Sequence, residues 1–415
     1  MNAPLPPGVG TPLVAPLHPL LTRGGWAGVT LAAAVMFVLV PALNLWLPAG
    51  HPLHLSDYFV TLAGKIMCYA IVALAMDLIW GYAGILSLGH GLFFALGGYA
   101  FGMYLMRQIG ADGQYRMNMP DFMVFLDWKQ FPWHWALSDS FIAQMLLVVL
   151  VPGLLAFVFG YFAFRSRVKG VYFSIITQAL TYAAMLLFFR NNTGFGGNNG
   201  FTDFKRILGI PITTDEMRIA LFCITGAVLI GTLVLLRWIV TSKFGRVLAA
   251  IRDAEQRVMF CGYSPLHYKL FVWTLSAVLC GIAGALYVPQ VGIINPSEMS
   301  PANSIEIAIW AAVGGRGTLF GPILGAFAVN GAKSWFTVAY PEYWLYFLGL
   351  MFVLVTLLLP RGLMGLAGVL RARRDAAAPA VEATPAVSSP TAARGAGRAP
   401  AAATGELGLP GEAKP

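Results

Sequence analysis

The sequence predicts an all-α, polytopic integral membrane protein, and three observations predict it. Of its 415 residues, 58% are hydrophobic and only 11% charged, a balance outside the range of ordinary soluble domains. Apolar runs approaching the roughly 20 residues of a spanning helix recur along the chain. The basic residues gather in short polar intervals between those runs. There Lys and Arg set orientation in a bilayer, so the net charge of +9 does not indicate nucleic acid.

Residues 1–25, rich in Pro and Gly, form a cytoplasmic N-terminal segment. The run Trp26–Leu47 is too long for a signal-peptide core and stays as a first span. Further spans are expected at Tyr58–Trp80, Leu92–Met106, Phe141–Phe164, Val171–Phe189, Ile219–Val240, Leu270–Val288, Ile305–Val313, Leu319–Ala339 and Tyr343–Leu359. That makes about ten, the third and eighth being short. Arg165, Arg167 and Lys169 in one loop, the interval 241–269, and Arg361, Arg371, Arg373 and Arg374 mark the cytoplasmic side. Both termini are then cytoplasmic, and segments near 49–57, 107–140, 190–218 and 289–304 lie outside. The transmembrane domain is 26–370. Beyond it, 371–415 is rich in Ala, Pro, Ser and Gly, lacks apolar surface to fold, and is expected to be a disordered cytoplasmic tail.

The longest polar interval between spans, Thr241–Lys269, reads as an amphipathic helix over 244–261. Phe244, Val247, Leu248, Ile251, Ala254 and Val258 recur at three- and four-residue steps, while Lys243, Arg246, Arg252, Asp253, Glu255 and Arg257 fall largely elsewhere. Gly262 supplies a stop, and Ser264-Pro265 a fresh helix start. Such a helix either lies on the headgroups or serves as a handle for a cytoplasmic partner.

Two stretches are poor continuous helices: GYAGILSLGHGLFFALGGYAFG (Gly81–Gly102) and AVGGRGTLFGPILGAFAVNG (Ala312–Gly331). The spacing of Gly98 and Gly102, and of Gly321 and Gly325, permits close helix packing. Interrupted helices also point to a translocation route, because freed backbone groups at membrane depth must line water or protein. The ionisable residues singled out in the apolar spans are Lys65, Asp77 and Glu306, with His90 in the first break and Arg316 in the second. Lys65 is expected to snorkel outward, Asp77 and Arg316 to lie near the inner surface, and Glu306 to cap a short helix below the outer one.

In the span Val171–Phe189, Ser174, Thr177, Gln178 and Thr181 share a helical face. That face is either interhelical hydrogen-bonding glue or the wall of a route for a small uncharged solute. Motifs for chemistry are missing. Gly331-Ala332-Lys333-Ser334 echoes the end of a phosphate-binding loop without its upstream glycines or preceding strand, and His51 with His54 is a weak metal pattern. Cys68, Cys223, Cys261 and Cys280 offer no disulfide framework. No catalytic residue, cofactor or metal site is expected.

The run GYAGILSLGHGLFFALGGYA, the basic helix ending in Gly262 before LSAVLCGIAGALY, and AAVGGRGTLFGPILGA together resemble the permease subunits of branched-chain amino-acid-type ABC importers, over roughly Tyr58–Gly365. Within that group, DLIWGYAGILSLGHGLFFALGGYAFGMYLMR, YFSIITQALTYAAMLLFFRNNTGFGGNNGFTDFK and SIEIAIWAAVGGRGTLFGP most resemble the second permease subunit of urea importers. The resemblance implies a bacterial inner-membrane protein without an ATPase site of its own. Its implied partners are a homologous permease, two ATP-binding subunits and a periplasmic solute-binding protein.

The resemblance also implies that 241–269 is a coupling loop, with Arg252, Asp253, Ala254, Glu255 and Gly262 in the part that meets the ATPase. Here Val258, Met259, Phe260 and Cys261 stand where small residues are usual before the glycine. The translocation path is expected along Ser174, Thr177, Gln178 and Thr181, beside Gly89, His90, Gly91, Gly314 and Gly315, with Glu306. Urea is the expected solute, and short amides or branched-chain amino acids are alternatives. A passive urea or amide channel would not need the long docking helix, and an ion-coupled transporter would hold an acid pair near mid-membrane.

Overall fold

The computed structural model describes residues 20–358, apart from 22 and 49, and 362–365. The expected tail 371–415 and most of the segment 1–25 lie outside the described residues. Every expected span is occupied by helix. The first is α1 (Arg23–Ala34), continued by a π-helical turn (Val35–Leu39) into α2 (Val40–Leu45). Pro41 lacks the N–H that would continue the regular ladder there, which accounts for the wider turn. Ser56 caps α3 (Asp57–Asp77), which runs on through a second π-helical turn, Leu78–Tyr82.

After an irregular segment, 83–89, come α4 (His90–Arg107), the short α5 (Asp121–Phe125), α6 (Phe141–Arg165) and α7 (Val171–Phe188). They are followed by α8 (Asp215–Thr241), α9 (Lys243–Phe260), α10 (Pro265–Val291), α11 (Pro301–Gly314), α12 (Phe320–Ala339) and α13 (Trp344–Leu358). Among the described residues, short 3-10 turns and two-residue strands fill the connections. β1 (Phe201–Thr202) pairs antiparallel with β4 (Ile293–Ile294), and β2 (Arg206–Ile207) with β3 (Ile210–Pro211).

Among the described residues, six helical stretches are long and apolar enough to cross a bilayer: Gly24–Leu45, Asp57–Tyr82, Phe141–Arg165, Val171–Phe188, Asp215–Thr241 and Pro265–Val291. The other four expected spans are α4, α11, α12 and α13. The 14 residues of α11 measure only about 21 Å, well short of a hydrocarbon core.

Backbone-to-backbone approach dominates the centre. A Cβ on Gly97 of α4 would overlap the backbone of Gly281 of α10, and one on Gly284 would overlap Phe94. Gly281 in turn lies against Pro152 and Val148 of α6, so α10 is held between α4 and α6. Gly325 and Gly314 do the same for α12 and α11. Tyr99, Trp135, Phe201 and Trp273 fill the remaining core. In lipid, where no hydrophobic force drives helices together, such close approach supplies the packing contacts.

Gly97→Leu is therefore expected to cost at least about 1–3 kcal/mol by overpacking and to lower the melting temperature in detergent. Gly231→Leu, at a position with nothing within 4 Å, is expected to leave it unchanged. Equal melting of the two variants would refute the role given to the α4–α10 crossing.

Candidate translocation and coupling site

Two helices begin inside the bundle, and their N-termini meet. From β4 the chain descends along α4: Ile294 lies beside Gly98 and Gly102, and the Glu298 carbonyl beside Gly91, about 10 Å further down α4. Ser300 caps α11 there by accepting from Asn303 N–H at 3.3 Å. The N–H of Gly91, in the first turn of α4, donates to Ser304 Oγ of α11 at 3.3 Å. These N-terminal ends carry partial positive charge, and freed amides at such ends serve as solute sites.

Beside them is a cavity of about 170 Å³, lined by Lys65, Tyr69, Tyr287, Glu298, Asn303, Glu306, Lys333 and Trp310, among others. Lys333 Nζ bonds both carboxylate oxygens of Glu306 at 2.8 and 2.9 Å. Glu298 accepts from Tyr287 at 3.2 Å and from Asn303 at 3.3 Å. The Lys65 ammonium lies 5.8 Å from the centre of the Tyr69 ring. The Trp310 indole N–H is buried without a partner. Two bases and two acids thus face one small space.

Of the residues expected on the path, Gly91 and Glu306 line this cavity. Glu306 does not cap its helix, because Ser300 does; it pairs with Lys333 instead. Lys65, expected to snorkel outward, lines the cavity too. The α7 stripe has another neighbour. Ser174 donates to Leu86 O at 2.7 Å, Thr177 Oγ1 accepts from Leu88 N–H at 3.1 Å, and Thr181 donates to Thr177 O at 2.8 Å. With a longer contact of 3.5 Å from Thr181 to Leu88 O, these hydroxyls hold the irregular segment 83–89, whose backbone has no helix to satisfy it. Gln178 is half-buried on the same helix, and a Cβ on Gly89 would meet Thr177.

His90 is buried, with Nε2 2.8 Å from Ser276 Oγ, whose own proton goes to Ala75 O. That chain makes Nε2 the protonated nitrogen of His90 and leaves Nδ1 without a partner. Gly314 and Gly315 lie at the inner end of α11, against Gly321 and Gly362. Lys333 and Glu298 were missed in the sequence. A lysine inside the apolar run Leu319–Ala339 was the available signal for the first; a loop glutamate gave none for the second.

On the basic face, α9 spans the expected amphipathic helix but leaves helical geometry at Ala254 (φ −153°, ψ 68°). The expected single helix is therefore two, 243–253 and 255–260. Arg252 Nη1 donates to Gly81 O at 2.7 Å and Nε to Asp253 at 2.8 Å. Glu255 bridges Lys169 at 2.7 Å and Lys269 at 2.6 Å. Burial raises the Glu255 carboxyl, but the hydrogen bonds from the two lysines outweigh it and hold the group below the ordinary carboxylate range. This clamp is in place at neutral pH and is lost as pH falls through that lowered value.

The second segment carries Phe260 at 91% exposure, with Met259 and Tyr263 also exposed, an apolar tip on an otherwise charged face. Gly262 ends it at φ +83° with open space around it, so glycine serves the turn there and not close packing.

Interrupted membrane helices meeting at a polar cavity, above a helix that offers an apolar tip on the basic face, define a solute permease driven from the cytoplasm. The family model described as "Branched-chain amino acid transport system / permease component" matches residues 58–356, and the chain belongs to that family. The high-affinity branched-chain amino acid transport system permease protein LivM of Salmonella typhimurium is 24% identical, over 75% of this chain and 71% of that protein. The protein of the same name from Escherichia coli K12 is 24% identical over 77% and 73%. The autoinducer 2 import system permease protein LsrC of Yersinia pseudotuberculosis serotype O:3 is 25% identical over 48% of this chain and 56% of its own.

No solved structure matches. The chain is thus a multi-pass inner-membrane permease subunit of an ABC-type importer, is not itself an enzyme, and works with ATP-binding and substrate-binding partners.

Arg252→Met removes the bond from α9 to Gly81 while leaving the apolar tip. In proteoliposomes it is expected to cut uptake by about ten-fold or more with ATP hydrolysis largely kept, as loss of one charge-assisted bond of 1.5–3 kcal/mol allows. Equal losses of uptake and hydrolysis would mean that Arg252 only maintains the fold.

Proposed function

We propose that the chain passes a small solute of no net charge, urea, between the N-terminal ends of α4 and α11. In this reading it pairs with a homologous permease above two ATP-binding subunits and receives solute from a periplasmic binding protein. The observation that carries the reading is the charge-balanced cavity: Lys65 and Lys333 against Glu298 and Glu306, with the free Trp310 N–H as a donor.

An anion or a cation entering there meets as many repelling as attracting charges. Urea offers only donors and acceptors, each worth about 0.5–1.5 kcal/mol net when matched, so it is held without being trapped. The volume of about 170 Å³ suits a small solute. The runs Asp77–Arg107, Tyr172–Lys205 and Ser304–Pro322, which resemble the second permease subunit of urea importers, support the same reading. Gly91 and Glu306 lie on this route; Ser174, Thr177, Thr181 and Gly89 act on it by holding its wall, with Gln178 beside them. Gly314 and Gly315 shape its inner end, and Met259 and Phe260 enter the ATP-binding partner.

A second reading, a branched-chain amino acid, rests on the family description and on the same charge pattern, which also matches a zwitterion. Uptake of labelled urea and of labelled leucine by the reconstituted complex, with its cognate binding protein, distinguishes the two. Urea uptake is expected in the wild type, with Glu306→Gln lowering it by about ten-fold because Lys333 is left without its carboxylate. Leucine uptake without urea uptake would overturn the first reading.

A further inference from the structure

A second cavity, of about 410 Å³, lies between the outer half of α4, the start of α6 and the end of α7. Its walls are mostly apolar: Leu96, Ala100 and Met103 from α4, Leu147 and Val151 from α6, and Phe188 from α7. Two polar groups interrupt this lining. Tyr99 is 1% exposed, its ring wedged against Phe188, Phe195 and Phe201, and its hydroxyl has no partner. His134, tilted 32° against Phe195 with ring centres 4.9 Å apart, has a buried Nε2 without a partner.

The wall that carries His134 is firmly built, since Trp135 Nε1 donates to Gly194 O at 3.1 Å and ties the turn 133–135 to the loop before Phe195. Buried polar groups are nearly always satisfied, and two orphans on one apolar cavity call for a ligand that is largely hydrocarbon with acceptor atoms at one end.

The place of the cavity selects the ligand. The outward faces of the adjoining helices carry exposed Leu146, Leu150, Leu186 and Leu187, so the cavity flanks the bilayer and not the solute route. Trp133, 88% exposed at the rim, sits where interfacial aromatics meet headgroups. We propose that this cavity takes one acyl chain of an outer-leaflet phospholipid. An ester carbonyl or phosphate oxygen of that lipid accepts from the Tyr99 hydroxyl and from His134. Hydrocarbon fills the space beside α4, the helix whose other face packs on α10 and on the descending segment with Ile294. The site is separate from the polar cavity and does not depend on which solute is carried.

The test uses the assembled transporter in nanodiscs of phosphatidylethanolamine doped with phosphatidylethanolamine that carries a diazirine in one acyl chain, with crosslinked peptides read by mass spectrometry. Crosslinks are expected on residues 96–103 and 147–151. They should be lost in Ala100→Trp, which fills the cavity, and in Ala136→Trp, which blocks it from the exposed rim where folding is not at stake. Tyr99→Phe is expected to lower them about five-fold, the worth of one hydrogen bond. ATP hydrolysis and a monodisperse elution profile report that each variant is folded. Crosslinks unchanged in a folded Ala136→Trp or Ala100→Trp protein, or confined to the exposed leucines of α6 and α7, would mean annular lipid only and overturn the site.

Discussion

The inner half of this structure depends on one satisfied carboxylate. Asp77, fully buried at the end of α3, accepts from the N–H groups of Gly317 at 2.5 Å and Leu319 at 3.1 Å. The turn 315–319 cannot drift from α3 without stranding that carboxylate in an apolar surround, at a cost of several kcal/mol. The dependence is mutual. The turn has left helical hydrogen bonding, and Asp77 supplies the acceptors that its amides would otherwise lack. A Cβ on Gly81 would overlap the Gly317 backbone, and Gly317 itself sits at φ +75°, so the turn approaches α3 here only because both positions are glycine.

The same few residues connect the cytoplasmic face to both interrupted helices. The Gly81 carbonyl, in the π-helical turn that ends α3, accepts from Arg252 of α9. Just beyond, the irregular segment 83–89 leads to α4, and across from Gly81 stands the turn between α11 and α12. Arg252 thus ties α9 to the joint from which both interrupted segments leave. The two parts of α9 are held separately. Its second segment is clamped by Lys169 and Lys269 through Glu255, and its first is seated by Ser242, whose hydroxyl accepts from Gly245 N–H at 3.4 Å. The departure from helical geometry at Ala254 lies between those two attachments.

Much of the architecture was legible in the sequence because it follows from solvent. Apolar length gave the helices, and glycine-rich interruptions marked the two irregular places. Gly262 and Ser264-Pro265 marked the end of α9 and the start of α10 correctly, since a positive φ and a fixed proline φ are local properties. What was not legible required knowing neighbours. The hydroxyl stripe of α7 has the same pattern whether it lines a route or satisfies an irregular segment, and its bonds to 86–88 could not be read without the position of that segment. Glu306 looked like a cap until Lys333 stood beside it, 27 positions along the chain. The break at Ala254 had no local signal, because alanine favours an unbroken helix and the amphipathic period runs through it.

The charges of the polar cavity also explain why the interrupted helices can begin there. The N-terminal ends of α4 and α11 bring partial positive charge to one place, and two lysines add to it. Left alone, that concentration would repel itself and would bind anions tightly. Glu298 and Glu306 offset it, and their partners Tyr287, Asn303 and Lys333 hold the carboxylates in fixed positions. The cavity therefore presents many hydrogen-bonding groups and little net field. On the proposed route, selectivity would come from matched donors and acceptors, which discriminate against strongly hydrated ions more than among small neutral molecules, and finer choice of solute would fall to the binding partner that presents it.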